Sequence, residues 1–118
     1  MLGLLLVDHG SRRAEANAQL DDMAARVQGL RHDALVVAAH MEIAAPDIAA
    51  GFASLAERGA TRIAVLPYFL GSGRHLTEDI PRLVAAAAAN HPGVTWRIGD
   101  ALGPHHALAE LLLARAGV

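Results

Sequence analysis

The sequence predicts an α/β fold in which one parallel sheet of four strands carries helices on both faces. Short apolar runs alternate with amphipathic stretches of helical periodicity along the chain, which gives the order βαβαβαβα. The first runs are continuously apolar, as is typical of strands that are buried on both faces. Right-handed crossovers with one reversal of winding then predict the strand order 2-1-3-4.

The first half of the chain contains two strand–helix units. Leu2–Val7 is the first buried strand, and the apolar stripe that follows predicts a helix from about Glu15 to Leu30. Ala34–Ala39 is the second strand. We expect Pro46 to occupy the first turn of the second helix, because proline is tolerated there, and Gly59 to end that helix.

The second half repeats the pattern with a longer loop. Ile63–Leu66 is the third strand, the loop Pro67–Leu76 follows, and Thr77 is the predicted N-cap of the third helix. Val94–Ile98 alternates apolar with polar residues, which predicts an edge strand with one wetter face. Gly103–Pro104 opens the last helix, whose inward residues are expected to be Leu108, Leu111 and Leu112.

Length and composition predict one globular domain over residues 1–118. The chain is 53% hydrophobic and 19% charged, and its formal net charge of -2 argues against a nucleic-acid partner. The absence of cysteine excludes disulfides, thiolate metal sites and cysteine-ligated clusters, and the absence of lysine excludes a P-loop lysine. No stretch is long enough to span a membrane, so we expect no membrane partner and a cytoplasmic location, or a plastid-type protein without its transit peptide.

A histidine follows every predicted strand. His9 comes after the first strand, His40 and Glu42 after the second, His75 after the third, and His105 after the fourth. Ligands of open α/β sheets bind beyond the carboxyl ends of the strands, at the point where the winding reverses. We therefore expect these side chains to converge, although a single loop histidine is more often a solvated residue than a ligand.

The residue types at this edge favour a metal and an acidic ligand. Imidazole and carboxylate groups suit Fe²⁺, Co²⁺ or Ni²⁺. Arg12, Arg13 and Arg74 suit a polycarboxylate ligand, although any one of them alone is as well explained as a solvated helix end. Gly10 and Gly73 are expected to allow tight turns. Gly71 and Gly73 do not form a dinucleotide-binding fingerprint, because the third glycine of that motif is missing.

The motifs that contain these residues resemble those of the small class II chelatases, the sirohydrochlorin cobaltochelatases and ferrochelatases. The sequences of these motifs are most similar to those of the plant-type sirohydrochlorin ferrochelatase, and the resemblance covers nearly the whole chain. The motifs are Asp8-His9-Gly10-Ser11-Arg12-Arg13, Ala39-His40-Met41-Glu42, Pro67-Tyr68-Phe69-Leu70, Gly73-Arg74-His75, Asp79-Ile80-Pro81 and Leu102-Gly103-Pro104-His105.

The resemblance implies a flavodoxin-like sheet of the chelatase type and an activity. That activity is insertion of Fe²⁺ for sirohaem, or Co²⁺ for cobalamin, into a sirohydrochlorin-type tetrapyrrole, with no permanently bound cofactor. His9 and His75 match the family's two metal-binding histidines, and Glu42 matches its acidic residue, so these three are the expected catalytic residues. The expected substrate-binding residues are Ser11, Arg12, Arg13, His40, Gly73, Arg74 and His105.

The resemblance also bears on assembly and leaves rival functions. Larger relatives hold two such domains in one chain, so a homodimer is expected to rebuild the cleft here. One rival is a non-catalytic tetrapyrrole- or metal-binding module of the same fold. The other is a nucleotide- or phosphate-binding α/β enzyme, which is poorly supported because no phosphate motif is intact.

Overall fold

A computed structural model describes all residues from 1 to 118, and its four strands form a single parallel sheet. The strands are β1 (Leu2–Asp8), β2 (Ala34–His40), β3 (Arg62–Pro67) and β4 (Thr95–Ile98). Their order is β2-β1-β3-β4, with all three pairings parallel. This confirms the predicted α/β class, the strand order 2-1-3-4 and the edge position of β4.

Four α-helices connect or follow the strands. They are α1 (Ala14–Leu30), α2 (Ile48–Glu57), α3 (Ile80–Ala88) and α4 (His106–Ala116), and a π-helical turn, His75–Asp79, leads into α3. Helix α1 packs on β1 and β2 from one side, whereas α2 and α3 pack together on the other side, so both faces carry helices as predicted. None of these helices combines the length and the apolar character that crossing a membrane requires.

The main core lies between the sheet and the layer formed by α2 and α3. Leu5, Val65 and Phe52 are fully buried there. A Cβ at Gly51 of α2 would lie 2.8 Å from Leu5 Cδ1 and 3.0 Å from Ala39 Cβ, so glycine lets this helix approach the central strands closely. The position of α2 brings the segment that precedes it against the end of β2.

The prediction that Pro46 occupies the first helical turn is wrong. Helix α2 begins at Ile48, and the side chain of Asp47 caps it by accepting a hydrogen bond of 2.8 Å from Ala50 N. Pro46 instead offers its carbonyl oxygen to His40 N at 2.8 Å. The segment at Pro46 and Asp47 therefore pairs with the last residue of β2.

The prediction that Thr77 caps the third helix is also wrong. Helical winding begins at Arg74, and Thr77 lies inside the π-helical turn. Both Thr77 N and Thr77 Oγ1 donate to the carbonyl oxygen of Gly73, at 2.9 Å each. Because the hydroxyl bonds back to the preceding turn, it does not serve as a cap. His75 is thus held in a helical turn, not in the expected loop.

The last helix differs most from expectation. Its N-cap is His105, and none of its residues is buried. Leu111 and Leu112, predicted to face the core, are 50% and 71% exposed, because α4 packs closely against no other element. Trp96 on β4 is also 38% exposed, so neither face of this edge strand is well covered.

Candidate active site

The carboxyl ends of β1 and β2 set two candidate residues side by side. Met41 N donates to Asp8 O at 2.8 Å, and Glu42 N donates to His9 O at 3.1 Å. Two further backbone hydrogen bonds therefore join the chain segments just beyond the paired strands. These bonds hold Glu42 next to His9, which follows the central strand at the switch point.

Two backbone features shape the turns at this edge. Gly10 has a φ of +95°, and a Cβ at this position would collide with the carbonyl oxygen of Glu42. Ile43 has a φ of 73°, and Ala44 N donates to Glu42 O at 2.8 Å across it, which is the hydrogen bond of a γ-turn. A β-branched residue rarely adopts this φ, so the chain stores strain beside Glu42.

His9, Glu42 and His75 form one cluster. His9 Nε2 lies 2.9 Å from Glu42 Oε1, and the rings of His9 and His75 are 4.9 Å apart in an edge-to-face arrangement. The side chains are 42%, 54% and 50% exposed, respectively, so a ligand can reach them from solvent. The predicted convergence of these three residues is therefore observed.

Each histidine ring in the cluster is oriented through its Nδ1 atom. His9 Nδ1 lies 3.1 Å from Gly10 O, and His75 Nδ1 lies 2.9 Å from Asp79 Oδ2. Both acceptors are oxygens, so each Nδ1 carries the proton and donates. This tautomer leaves Nε2 of each neutral ring as the potential metal ligand, the usual arrangement around a ligating histidine.

The carboxylate of Glu42 stands beside the ring nitrogen of His9 that is left for a metal. His9 Nε2 lies 2.9 Å from Glu42 Oε1. A metal ion bound at His9 Nε2 would therefore have a carboxylate oxygen within reach, and any proton on that nitrogen would have to leave first.

Asp79 is the residue at this site that sequence reasoning missed. The hydrogen bond from His75 is the main cause that lowers the pKa of Asp79 below its ordinary value, with smaller contributions from the charges of His75 and Arg82. The carboxylate is thus kept ionised as the acceptor for His75 Nδ1. Its spacing of four residues from His75, at the start of the next motif, was the signal in the sequence.

His40 lies beneath the site and not in it. The residue is 2% exposed, and its Nδ1 is 2.6 Å from Asp8 Oδ1. Because no surface of His40 is available to a ligand, this placement argues against the expected contact with substrate. The buried pair of Asp8 and His40 instead supports the turn at Gly10, whose added Cβ would lie 3.3 Å from His40 Cβ.

The remaining candidates near β1 organise the entry to α1. Ser11 Oγ accepts from Arg13 N at 3.0 Å, and Ser11 N donates to Asn17 Oδ1 at 2.9 Å. Arg13 pairs with Glu15 at 3.0 Å. Arg12 is exposed beside this turn, which leaves its guanidinium available to a ligand at the same edge of the sheet.

The candidates after β3 and β4 have local structural partners. Arg74 lies 3.5 Å from Glu78, and the Gly73 carbonyl accepts from Thr77. His105 Nδ1 accepts from Ala107 N at 3.0 Å as the cap of α4. His105 lines a cavity of about 550 Å³ on the flank of the π-helical turn, and neither His9 nor Glu42 lines that cavity.

The cluster is not a preassembled metal cage. No three histidine, aspartate or glutamate side chains in the chain converge with metal-ligand geometry. His9, Glu42 and His75 are neighbours, but Glu42 Oε1 lies 2.9 Å from the same Nε2 atom of His9 that a metal would use. The chemistry of two imidazoles and a carboxylate fits a divalent first-row ion, in an open arrangement that permits release.

Fold and site together define an α/β protein with a histidine–carboxylate cluster at the switch point of a parallel sheet. The family model of CbiX matches residues 3–117. The chain therefore belongs to the CbiX family, and the predicted resemblance to sirohydrochlorin chelatases is confirmed.

Curated relatives include both chelatase types. The chain is 40% identical over 110 residues to the chloroplastic sirohydrochlorin ferrochelatase of Arabidopsis thaliana, covering 93% of this chain and 49% of the relative. It is 31% identical to the sirohydrochlorin cobaltochelatase of Methanococcoides burtonii, covering 98% of this chain and 94% of the relative. The chain thus spans about half of the plant enzyme and nearly all of the archaeal one.

Solved structures share the fold. The sirohydrochlorin chelatase SirB from Bacillus subtilis subspecies spizizenii, in complex with cobalt, matches with a TM-score of 0.86 and 28% identity over 98% of this chain and 50% of its own. The CbiX protein from Marinobacter aquaeolei VT8 matches with a TM-score of 0.83 and 26% identity over 99% and 95% of the two chains.

Proposed function

We propose that this chain is a sirohydrochlorin chelatase, which inserts a divalent metal ion into a sirohydrochlorin-type tetrapyrrole. The observation that carries the proposal is the cluster of His9, Glu42 and His75, in which both rings are oriented through Nδ1. Membership of the CbiX family, with relatives named as ferrochelatases and cobaltochelatases, supports the same activity.

The metal ion is a substrate in this reaction. His9 and His75 bind Fe²⁺, Co²⁺ or Ni²⁺ through their Nε2 atoms above the macrocycle, and no permanently bound cofactor is needed. SirB structures with cobalt and with Fe³⁺ support first-row metals as the class. Because the site is open and lacks a third strong ligand, it holds the ion weakly enough to pass it on.

Metal insertion also requires proton acceptors. The macrocycle exchanges two pyrrole protons for one divalent ion, so two protons leave for each turnover. Glu42 is the first acceptor, because its carboxylate lies 2.9 Å from His9 Nε2, beside the position proposed for the metal. A histidine that has released its metal to the macrocycle is the second acceptor.

Charged groups around the cluster bind the acidic side chains of the macrocycle. Arg12 and Arg74 are exposed at the same edge, and guanidinium groups bind carboxylates with both oxygens. The backbone at Ser11, Arg13 and Gly73 contributes turns that let the macrocycle approach. His105 is proposed to act at the rim and His40 to position Gly10 from below.

We further propose that the working form is a homodimer in the cytoplasm. The cluster lies at an open edge of the sheet, where half of each histidine side chain is exposed. Half of the SirB chain matches this whole chain. A second copy would cover the macrocycle from the opposite side and exclude water from the site.

The decisive experiment mixes the protein with sirohydrochlorin and Fe²⁺, Co²⁺ or Ni²⁺ in turn and follows the absorbance spectrum. We expect multiple turnovers with at least one metal. His9→Ala and His75→Ala should each abolish insertion without unfolding the protein, because neither residue is in the core. His32→Ala, an exposed histidine away from this edge, is the matched control and should retain the full rate.

The same experiment tests the alternative of a non-catalytic binding module. Such a module would bind tetrapyrrole or metal stoichiometrically, and the spectrum would stop changing after one equivalent. A folded His75→Ala variant with a near-normal insertion rate would remove His75 from the proposed site.

A further inference from the structure

One peptide unit connects the ring of His9 to the start of α1. The unit between Gly10 and Ser11 is trans, so its carbonyl oxygen and its N–H point in opposite directions. The Gly10 carbonyl oxygen lies 3.1 Å from His9 Nδ1, and Ser11 N donates to Asn17 Oδ1 at 2.9 Å. Because the unit is planar, the side chain that holds its N–H also sets the direction of the carbonyl that His9 contacts.

The side-chain amide of Asn17 holds both backbone groups of Ser11. Its Oδ1 accepts from Ser11 N, and its Nδ2 donates to Ser11 O at 2.8 Å. A backbone N–H only donates and a carbonyl oxygen only accepts, so these partners fix which end of the amide is oxygen and which is nitrogen. We call these two hydrogen bonds the Asn17 clamp.

The Asn17 clamp is anchored in α1 and not in the turn that it holds. Asn17 lies at the start of the helix, where its N–H donates to Arg13 O at 3.2 Å. Leu20, three residues further on, is fully buried, and α1 packs on β1 and β2. The helix therefore gives the Asn17 side chain a fixed position relative to the end of β1.

Gly10 makes such a clamp necessary. Glycine reaches the φ of +95° without strain, but it also tolerates a wide range of ψ, so the peptide unit that follows it tilts easily. The two ends of this unit have only His9 and Asn17 as hydrogen-bond partners. Without the Asn17 clamp, only the contact with the His9 ring would hold the carbonyl in place.

Two acceptors compete for the proton of a neutral His9 ring. The Gly10 carbonyl lies at Nδ1, and Glu42 Oε1 lies 2.9 Å from Nε2. A carboxylate is the stronger acceptor, so the proton stays on Nδ1 only while the carbonyl is well aligned. The hydrogen bond from Ser11 N to Asn17 also polarises this carbonyl, and such cooperativity strengthens a hydrogen bond by about 10–30%.

We propose that Asn17 is a positioning residue for His9. Its clamp orients the Gly10 carbonyl so that the ring proton stays on Nδ1 and Nε2 is left for the metal ion. This inference rests on the proposed function, in which His9 Nε2 binds the metal. Asn17 thereby does for His9 what Asp79 does for His75, but through a peptide unit instead of a direct contact. Loss of the clamp moves the ring proton to Nε2, where it donates to Glu42 and blocks the metal.

The chain offers a matched control for substitutions of Asn17. Gln28, near the C-terminal end of α1, also uses its side-chain amide for two backbone contacts, donating to Arg31 O at 3.0 Å and to Ala34 O at 2.8 Å. Both amides belong to half-buried residues, so Asn17→Ala and Gln28→Ala remove similar bonds from opposite ends of one helix. Asn17→Asp keeps an acceptor oxygen for Ser11 N and loses only the donor to Ser11 O.

The first measurement locates the ring proton by ¹⁵N NMR of the metal-free protein at about pH 9, where histidine is ordinarily neutral. His9→Ala identifies the His9 signals among those of the seven histidines. We expect the proton on Nδ1 in the wild type, Gln28→Ala and Asn17→Asp, and on Nε2 in Asn17→Ala. A wild-type ring protonated on Nε2, or an Asn17→Ala ring still protonated on Nδ1, would overturn the proposal.

The second measurement is the affinity for Co²⁺ alone, titrated by absorbance and corrected for the folded fraction. We expect a loss of about tenfold in Asn17→Ala, at the lower end of the range for partners that orient a metal ligand. Asn17→Asp should recover most of this loss, and Gln28→Ala should show none. Equal affinities of Asn17→Ala and Gln28→Ala would contradict the proposal.

Neither measurement uses the tetrapyrrole, so the inference and the proposed function can fail separately. A chain that shows the expected ring protonation and Co²⁺ affinities but inserts no metal would keep the role of Asn17 and lose the chelatase activity. A chain that inserts metal with the ring proton and the Co²⁺ affinity unaffected by Asn17→Ala would keep the activity and refute the positioning role.

Discussion

Asp79 acts through His75, and this pairing leads to the first prediction. Removing the acceptor in Asp79→Ala should lower the insertion rate and the metal affinity by roughly 10- to 100-fold, because partners of this kind orient a ligating ring. Asp79→Asn keeps an acceptor oxygen and should recover part of the loss. Asp22→Ala is the control, since it removes an exposed carboxylate that pairs four residues along α1 with Arg26. Equal effects of Asp79→Ala and Asp22→Ala would contradict the positioning role.

The same pair predicts a titration effect. The hydrogen bond from His75 is the largest cause of the lowered pKa of Asp79, so His75→Ala should return that pKa towards its ordinary value of 3.8. A group with a depressed pKa stabilises the fold above its unfolded pKa, and this contribution is lost as the pH falls through the folded value. NMR titration of the Asp79 carboxyl in both proteins measures the change. An unchanged pKa in the variant would show that the hydrogen bond is not formed in solution.

At the level of elements, the strands and the bounds of α1 were predicted from sequence, whereas the starts of α2 and α3 were not. Continuous apolar runs marked β1, β2 and β3 within one or two residues, because a strand buried on both faces leaves a simple pattern. Helix starts depend on which side chain accepts or donates one hydrogen bond. Asp47 caps α2, although Pro46 was expected to lie in its first turn already, and Thr77 bonds back to Gly73 and caps no helix.

The candidate site was predicted in part, because the position of its main residues follows from the strand pattern. His9, Glu42 and His75 come together because all follow strands of one parallel sheet, and strand order alone fixes that edge. The burial of His40 was not predicted, because the sequence does not show that its ring lies beneath Gly10 and contacts the Asp8 carboxylate. The partner of His75 was missed because the π-helical turn was read as a loop.

The turn at Gly10 gives the third prediction. Gly10→Ala should destabilise the protein by about 1–3 kcal/mol, because φ is +95° and the new Cβ would collide with the Glu42 carbonyl. The displaced Glu42 should also slow insertion. Gly29→Ala is the matched control, because nothing lies within 4 Å of that position in α1 and alanine there should stabilise the helix slightly. Thermal midpoints and insertion rates of the two variants, measured together, decide the matter.

At the scale of the whole molecule, the proposed function requires a protein of negative net charge to bind a strongly acidic macrocycle. The formal net charge is -2, so attraction cannot come from the protein as a whole. It has to come from the local arrangement of Arg12, Arg13 and Arg74 beside the cluster. Arg13 and Arg74 are already paired with Glu15 and Glu78, which reduces the charge that they offer to a ligand. Arg12 should therefore contribute most to the attraction.

This reasoning gives the last prediction, a salt-dependent loss of affinity in Arg12→Ala. Exposed charges are screened over about 10 Å at 0.1 M salt, so the variant should bind sirohydrochlorin more weakly than the wild type at low salt and nearly equally at high salt. Arg58→Ala also removes one positive charge, but at the C-terminal end of α2, where the chain leads into the amino end of β3. This variant should leave the affinity almost unchanged at every salt concentration. Titration of tetrapyrrole fluorescence against each protein at several salt concentrations measures the difference. If both variants lose affinity equally, the attraction depends on net charge and not on Arg12; if neither does, the macrocycle is bound without the help of this guanidinium.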